Sequence, residues 1–285
     1  MDGGASWVQN GNGPAAAQVT GLASMGSGLF AATSGGLFRS LDRGDHWTVL
    51  DPAPGRTIQS LLANGGTIFA GADGGVVFRS TDLGATWSRS ELNQSSTVYA
   101  LTASGADLFA GTGLGVYRSS DGGATWTHAV EGLTDWFVRS LAARDGLIIA
   151  GTGGGGVFRS TDRGENWTPC SNGLEDLGID ALAIRDSVLF AGTHRGVFRS
   201  TDGGDTWTAA RSGLTSLPIT ALAVDGMNVY ASAYWTGVFR SSNDGEFWRP
   251  AGSGLIKAQA FSLHAGSLFA GTYRAGVWRL DVSTP

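Results

Sequence analysis

Six stretches of the chain repeat a hydroxyl, a carboxylate or its amide, a glycine and a tryptophan at fixed spacing. They read SLDRGDHW (40–47), STDLGATW (80–87), SSDGGATW (119–126), STDRGENW (160–167), STDGGDTW (200–207) and SSNDGEFW (241–248). An Asp side chain accepts hydrogen bonds from the backbone of its own turn, Gly admits positive φ, and Ser bonds across a hairpin. Trp supplies a large apolar surface that anchors such a turn. Asp42, Asp82, Asp121, Asp162, Asp202 and Asn243, with Trp47, Trp87, Trp126, Trp167, Trp207 and Trp248, therefore have turn-locking roles, and Asp2 and Trp7 match a seventh copy that lacks its Ser. Six or seven identical ligand sites are the competing reading. Other chemistry is sparse. GTGGGG (151–156) satisfies a dinucleotide fingerprint only if a helix follows, and an apolar strand pattern follows instead. His46, His128, His194 and His264 have no metal-ligand spacing, and Cys170 is alone, so neither a metal nor a cofactor is expected.

The element that must carry these turns is itself repeated. The seven tryptophans recur every 39–41 residues, the period of a propeller or solenoid. Helical periodicity is absent, and each unit holds apolar runs of four to six residues broken by Gly, Asn and Asp. In residues 179–211 these are strands A (179–184), B (188–193), C (196–200) and D (207 to about 210), a meander that makes one propeller blade. The last unit supplies strands A to C and stops, while the N-terminus supplies a strand D. The expected fold is all-β: a single seven-bladed propeller over 1–285, its closing blade made of 256–285 plus about 1–12, with no free sheet edge.

The pattern Ser-x-Asp-x-Gly-x-x-Trp resembles the Asp-box, or bacterial neuraminidase repeat, of sialidases and related propellers. The resemblance extends to the photosystem II assembly factors, which are seven-bladed, bind protein and are not enzymes. It implies that the hairpins lie on the face remote from the ligand site. Sialidase chemistry would add an arginine triad, an acid Asp and a Tyr nucleophile; the Phe-Arg-Ile-Pro signature is missing, and Glu165 and Glu246 fall inside the hairpins. Xyloglucan-cleaving relatives use two such propellers facing a cleft.

Function is then sought where copies disagree. The B–C tips are small on four blades but read His194-Arg195, Tyr234-Trp235 and Tyr273-Arg274 on three adjacent ones. A second variable position near the start of strand A runs Thr20, Gln59, Tyr99, Arg139, Asp180, Thr220, Phe261. Trp136 and Trp235 are surplus to the repeat, although Leu177 and Leu217 stand where Trp136 does. The candidate ligand-binding residues are Arg139, His194, Arg195, Tyr234, Trp235, Tyr273, Arg274 and Trp136, with Arg139, Arg195 and Arg274 read as a cationic collar around the channel mouth. The expected function is non-catalytic recognition of a protein or anionic ligand through this face. A carbohydrate-binding module is the alternative, followed by a sialidase-like glycoside hydrolase.

A net charge of −5 argues against a general nucleic-acid partner, and no apolar run reaches about 18 residues, the length of a membrane span. A monomer is expected. MDGGASW is neither a signal nor a transit peptide, so the compartment stays open, extracytoplasmic if an export segment has been removed.

Overall fold

The repeat folds as seven four-stranded antiparallel sheets, seen in a computed structural model that describes residues 6–9, 17–50, 56–92 and 96–282. Their inner A strands are Val19–Met25, Ile58–Asn64, Val98–Ser104, Val138–Arg144, Ile179–Arg185, Ile219–Asp225 and Ala258–His264, taken below as blades one to seven. Each A strand packs on the A strands of its two neighbours, which closes the ring around a central channel. In blade five the remaining strands are Val188–Thr193, Gly196–Ser200 and Thr208–Ala209, within a residue or two of the boundaries expected from sequence. Blade seven is completed by Val8–Gln9, which pairs antiparallel with Val277–Asp281 (Val8 opposite Arg279). Asp2 lies outside the described residues.

The core lies between blades. One cluster joins Ile149 and Val157 of blade four to Ile179, Leu189, Phe198 and Trp207 of blade five. Close approach of the sheets depends on strand-B glycine: a Cβ on Gly192 would stand 2.8 Å from Ile219 Cγ2 of the next blade. Blade six has Ser232 there, and the next blade answers with the smaller Ala258, whose carbonyl accepts the Ser232 hydroxyl at 2.8 Å. Each pair trades volume across the seam, as dense packing requires.

Five of the seven repeat tryptophans hydrogen-bond to the preceding blade. Indole Nε1 donates to a carbonyl of that blade from Trp7 (to Ala251, 2.8 Å), Trp167 (Ala129, 3.0 Å), Trp207 (Cys170, 2.7 Å) and Trp248 (Ala210, 2.7 Å). Trp126 instead donates to the Ser90 hydroxyl at 3.0 Å. Backbone N–H groups add a second link, from Trp207 to Asn172 O at 2.8 Å. Here the neighbouring chain passes so near that a Cβ on Gly173, whose φ is +93°, would lie 2.2 Å from Trp207 O. Trp47 and Trp87 differ: both are half-buried, and Trp87 Nε1 turns to Gly84 O of its own hairpin.

Inside the hairpins the carboxylate is saturated. Asp202 Oδ1 accepts from Ser200 Oγ (2.7 Å) and Thr206 N (2.9 Å), Oδ2 accepts from Thr206 Oγ1 (2.5 Å), and Ser200 Oγ accepts from Gly204 N (2.8 Å). The same set recurs around Asp82 and Asp121, and Asn166 replaces the Thr donor at Asp162. Strand-C arginines then cross to the next hairpin, as Arg199 does to Asp244 O (2.8 Å) and Arg39 to Leu83 O (2.8 Å). The groups that looked most reactive in the sequence are consumed by the scaffold.

Three outcomes follow from these contacts. Trp207 is 3% exposed, so Trp207→Ala should cost about 3–5 kcal/mol in denaturant unfolding, and Trp207→Phe about 1–3 kcal/mol for the stranded Cys170 carbonyl. Deleting residues 1–12 removes the fourth strand of blade seven and should lower Tm by about 10 °C; an unchanged Tm would mean that this strand contributes nothing to closure. The hairpin hydrogen bonds hold Asp42, Asp82, Asp162 and Asp202 at about 2, against 3.8 for a free Asp. Because these values are depressed, the stabilisation is complete above the unfolded value and is lost as pH falls toward 2. Thermal melts should drop steeply between about pH 4 and pH 2, and less steeply in Asp202→Asn, which copies the natural Asn243 turn.

Candidate functional site

A blade that runs A, B, C, D puts its A–B and C–D hairpins on one face and its B–C tips and D–A connections on the other. The first face is filled by the Ser-Asp hairpins. The second, called the upper face here, carries every residue singled out for recognition.

At the channel mouth the positioning device is a β-bulge. All seven A strands slip register at their second residue, as between Ile179 and Ala181 opposite Thr193 and Gly192. The bulged residue falls out of the ladder and lines the channel. The carbonyl before it is taken up by the preceding blade, for example Ile58 O by Thr20 Oγ1 at 2.7 Å. The bulged residues are Thr20, Gln59, Tyr99, Arg139, Asp180, Thr220 and Gln259. Phe261 was expected at this position and is corrected to Gln259: strand A of blade seven opens on Ala258 where others have Val or Ile, so its apolar pattern starts late. Phe261 sits two residues deeper, level with Leu22, Leu61, Leu101, Leu141, Leu182 and Leu222. The result is a cavity of about 210 Å³ with a polar rim and an apolar belt beneath it.

On the blade four and five side of the rim, charges are paired. Arg139 Nη1 lies 2.6 Å from Asp180 Oδ1, and His194 Nε2 lies 3.2 Å from Asp180 Oδ2. Burial pushes the Asp180 carboxyl above its ordinary range, opposed by Arg139 and His194 and reinforced by Asp176. Asp176 accepts the backbone N–H of His194 (3.0 Å) and of Gly178 (3.1 Å). Asp135 does the same for Phe137, Gly154 and Gly155; burial raises its carboxyl, but these donors outweigh it and the net shift is downward. Arg195 approaches Glu175 at 3.9 Å, and Arg211 holds the same carboxylate at 3.1 Å while donating to Arg195 O. The expected cationic collar is therefore corrected: Arg139 and Arg195 face carboxylates, and this sector is a mixed, acid-rich rim.

On blades six and seven the picture changes. The Tyr234 and Trp235 rings meet edge to face with centroids 4.7 Å apart. Lys257 Nζ stands 5.1 Å from the Trp235 centroid and 5.8 Å from that of Tyr234. Lys257 N donates to Tyr234 O, and Lys257 O accepts from Tyr273 N, so one residue ties both tips together. Arg274 stacks its guanidinium 5.2 Å from the Tyr273 ring centroid. Trp235 is 59% exposed. Lys257 was missed in the sequence, although its signal was plain: it is the one lysine among nineteen basic residues.

Trp136 belongs to neither group. Its Nε1 donates to Leu133 O at 3.1 Å, and its ring meets His128 edge-on with centroids 6.0 Å apart. It is one of a series of exposed apolar residues, each two positions before an inner strand: Trp136 (48%), Leu177 (43%), Leu217 (37%) and Ile256 (51%). Phe137 and Tyr99, edge to face at 5.3 Å, extend that series toward blade three. Among the described residues no cluster of His, Cys, Asp and Glu could hold a metal ion, and no helix is long and apolar enough to cross a membrane.

Comparison with known proteins agrees with the fold. Residues 44–141, about a third of the chain, match the DUF6242 beta propeller domain. No curated protein matches the sequence. Among solved structures, YCF48 from Cyanidioschyzon merolae superposes with a TM-score of 0.72 at 17% identity, over 97% of this chain and 98% of that one. The extracellular domain of the putative hybrid two component system BT4673 from B. thetaiotaomicron gives 0.80 at 15% identity, over 96% of this chain and 39% of that one. The GH74 xyloglucanase from Xanthomonas campestris gives 0.74 at 17% identity, over 98% and 54%. At such identities the likeness is one of fold, and fold does not carry function.

Proposed function

We propose that this propeller is a non-catalytic recognition module that binds a protein segment on its upper face, through Tyr234, Trp235, Lys257, Tyr273 and Arg274. The observation that carries this reading is the exposed Trp235 ring, flanked by an ammonium and a guanidinium that form no ion pair among the described residues. Aromatic and cationic side chains exposed together are the usual anchors of protein interfaces. A structure of YCF48 bound to D1 peptide, superposing with a TM-score of 0.74 at 17% identity, gives a precedent for a peptide on this fold. Lys257 and Arg274 suit a carboxylate on the partner.

The two other functions draw less support. A carbohydrate module needs flat aromatic platforms, whereas the exposed series next to Trp235 is mostly aliphatic: Leu177, Leu217 and Ile256. Glycoside hydrolysis needs two carboxyl groups free to work on one bond. Asp180 and Asp176 come nearest, but Asp180 is engaged by Arg139 and His194, and Asp176 by two backbone donors.

A displayed peptide library selected on the protein tests the reading. Enriched peptides should carry acidic and apolar residues, and Trp235→Ala with Lys257→Ala and Arg274→Ala should weaken them at least tenfold while Tm is unchanged. Binding that survives the triple variant would overturn the assignment. Sugar-specific, salt-insensitive binding on a glycan array, or turnover of aryl glycosides, would move the function to one of the other two classes.

A further inference from the structure

We infer that the upper face takes a segment of split charge: its acidic end lies over Lys257 and Arg274, its basic end over Asp135 and Asp176, and apolar side chains lie between. This deepens the recognition reading and rests on it. The D–A connections supply the pattern. The connections into blades four to seven each carry an exposed apolar residue two positions before the inner strand, flanked differently in each case. Asp135 precedes Trp136 and Asp176 precedes Leu177, Ser216 and Pro218 bracket Leu217, and Lys257 follows Ile256. Around the ring the flanking charge therefore runs acid, acid, neutral, base over blades four to seven.

The charges at both ends are available to a partner. Asp135 has no ion pair among the described residues, and its oxygens are fixed by the backbone donors of Phe137, Gly154 and Gly155. Among the described residues Asp176 pairs with the exposed His194 ring, 3.9 Å away, beside its two backbone donors and the neighbouring Asp180 carboxyl. Backbone donors orient a carboxylate without cancelling its charge. At the other end the charged groups of Lys257 and Arg274 lie against aromatic rings and form no ion pair among the described residues. Blades separate the two ends, and exposed charges are screened over about 8 Å at physiological salt, so each end acts on whatever part of a partner lies above it.

This arrangement selects among occupants. Nucleic acid and an anionic membrane surface present one sign of charge, which the acidic half repels. A second copy turned about a two-fold axis would also bring unlike charges together, so sedimentation of the protein alone is the control, and dimerisation through this face would overturn the segment reading. The arc between the charged ends is not aromatic enough for a glycan. A protein segment with acidic and basic ends and an apolar centre satisfies both halves at once.

The lone lysine makes the orientation measurable. Three synthetic peptides share one apolar centre: the first has glutamates at one end and arginines at the other, the second glutamates at both ends, the third arginines at both ends. The first should bind about tenfold tighter than either of the others by fluorescence anisotropy at physiological salt. Zero-length carbodiimide coupling should join one of its glutamates to Lys257 Nζ. Asp176→Asn should remove most of the preference over the all-glutamate peptide, and Lys257→Glu should turn the preference toward the all-arginine peptide, with thermal melts confirming both folds. Equal binding of the all-glutamate peptide, unaffected by Asp176→Asn, would overturn the split-charge inference and leave the recognition reading standing. Failure of all three peptides to bind would overturn both.

Discussion

The ring depends on the tryptophan that closes each C–D hairpin. From blades four to seven its indole N–H reaches back to a carbonyl of the preceding blade, and its own backbone N–H makes a second bond to the same neighbour. A propeller sheet is a twisted four-stranded unit that cannot bury both faces alone, so its stability is a property of the seams. The indole buries apolar area in the seam and satisfies a carbonyl that would otherwise be stranded there. Trp7 shows the same contact made from the far end of the chain, where it bonds Ala251.

That constraint divides the molecule into two faces with different freedoms. On the hairpin face the repeated polar groups are committed to the scaffold: Ser to Asp, Asp to its own turn, and strand-C arginines such as Arg39, Arg79, Arg159 and Arg199 to the next hairpin. Repetition is the consequence, because each blade has to meet the same neighbour in the same way. The upper face closes through backbone bonds, such as Gly156 N to Leu177 O at 2.9 Å, which place no demand on the side chains. Apart from seam hydroxyls such as those of Thr20 and Thr220, side chains there can vary without loosening a seam. The bulge at the top of each inner strand extends this freedom into the channel by lifting one residue per blade out of the ladder.

Variation on the upper face is not scattered evenly. Blades four and five gather Asp135, Asp176, Asp180 and Glu175 with Arg139, His194, Arg195 and Arg211, while blades six and seven gather Tyr234, Trp235, Lys257, Tyr273 and Arg274. One exposed apolar side chain per blade, from Trp136 through Leu177 and Leu217 to Ile256, lies between the two sectors. The surface is thus patterned on the scale of a peptide segment, and the pattern arises from residues that the repeat leaves unconstrained.

The sequence by itself determined the architecture: the period of about 40 residues, the strand boundaries, the closing N-terminal strand and the structural use of the Ser, Asp and Trp positions. Those features are local or repeat seven times, so a single chain displays them as a consensus. It also directed attention to Trp235, Arg274, Arg139 and His194, since departures from a consensus are visible wherever the consensus is. Only the tertiary structure decided who pairs with whom. Arg139 joins Asp180 from 41 residues away, and Arg195 shares Glu175 with Arg211, so the collar expected from the arginines is a rim of mixed charge. Gln259 displaced Phe261 because a bulge, not apolar periodicity, selects the residue that faces the channel. The surroundings of Lys257 are likewise set by the ring, because it sits between two tips that are distant in sequence from each other and adjacent in space.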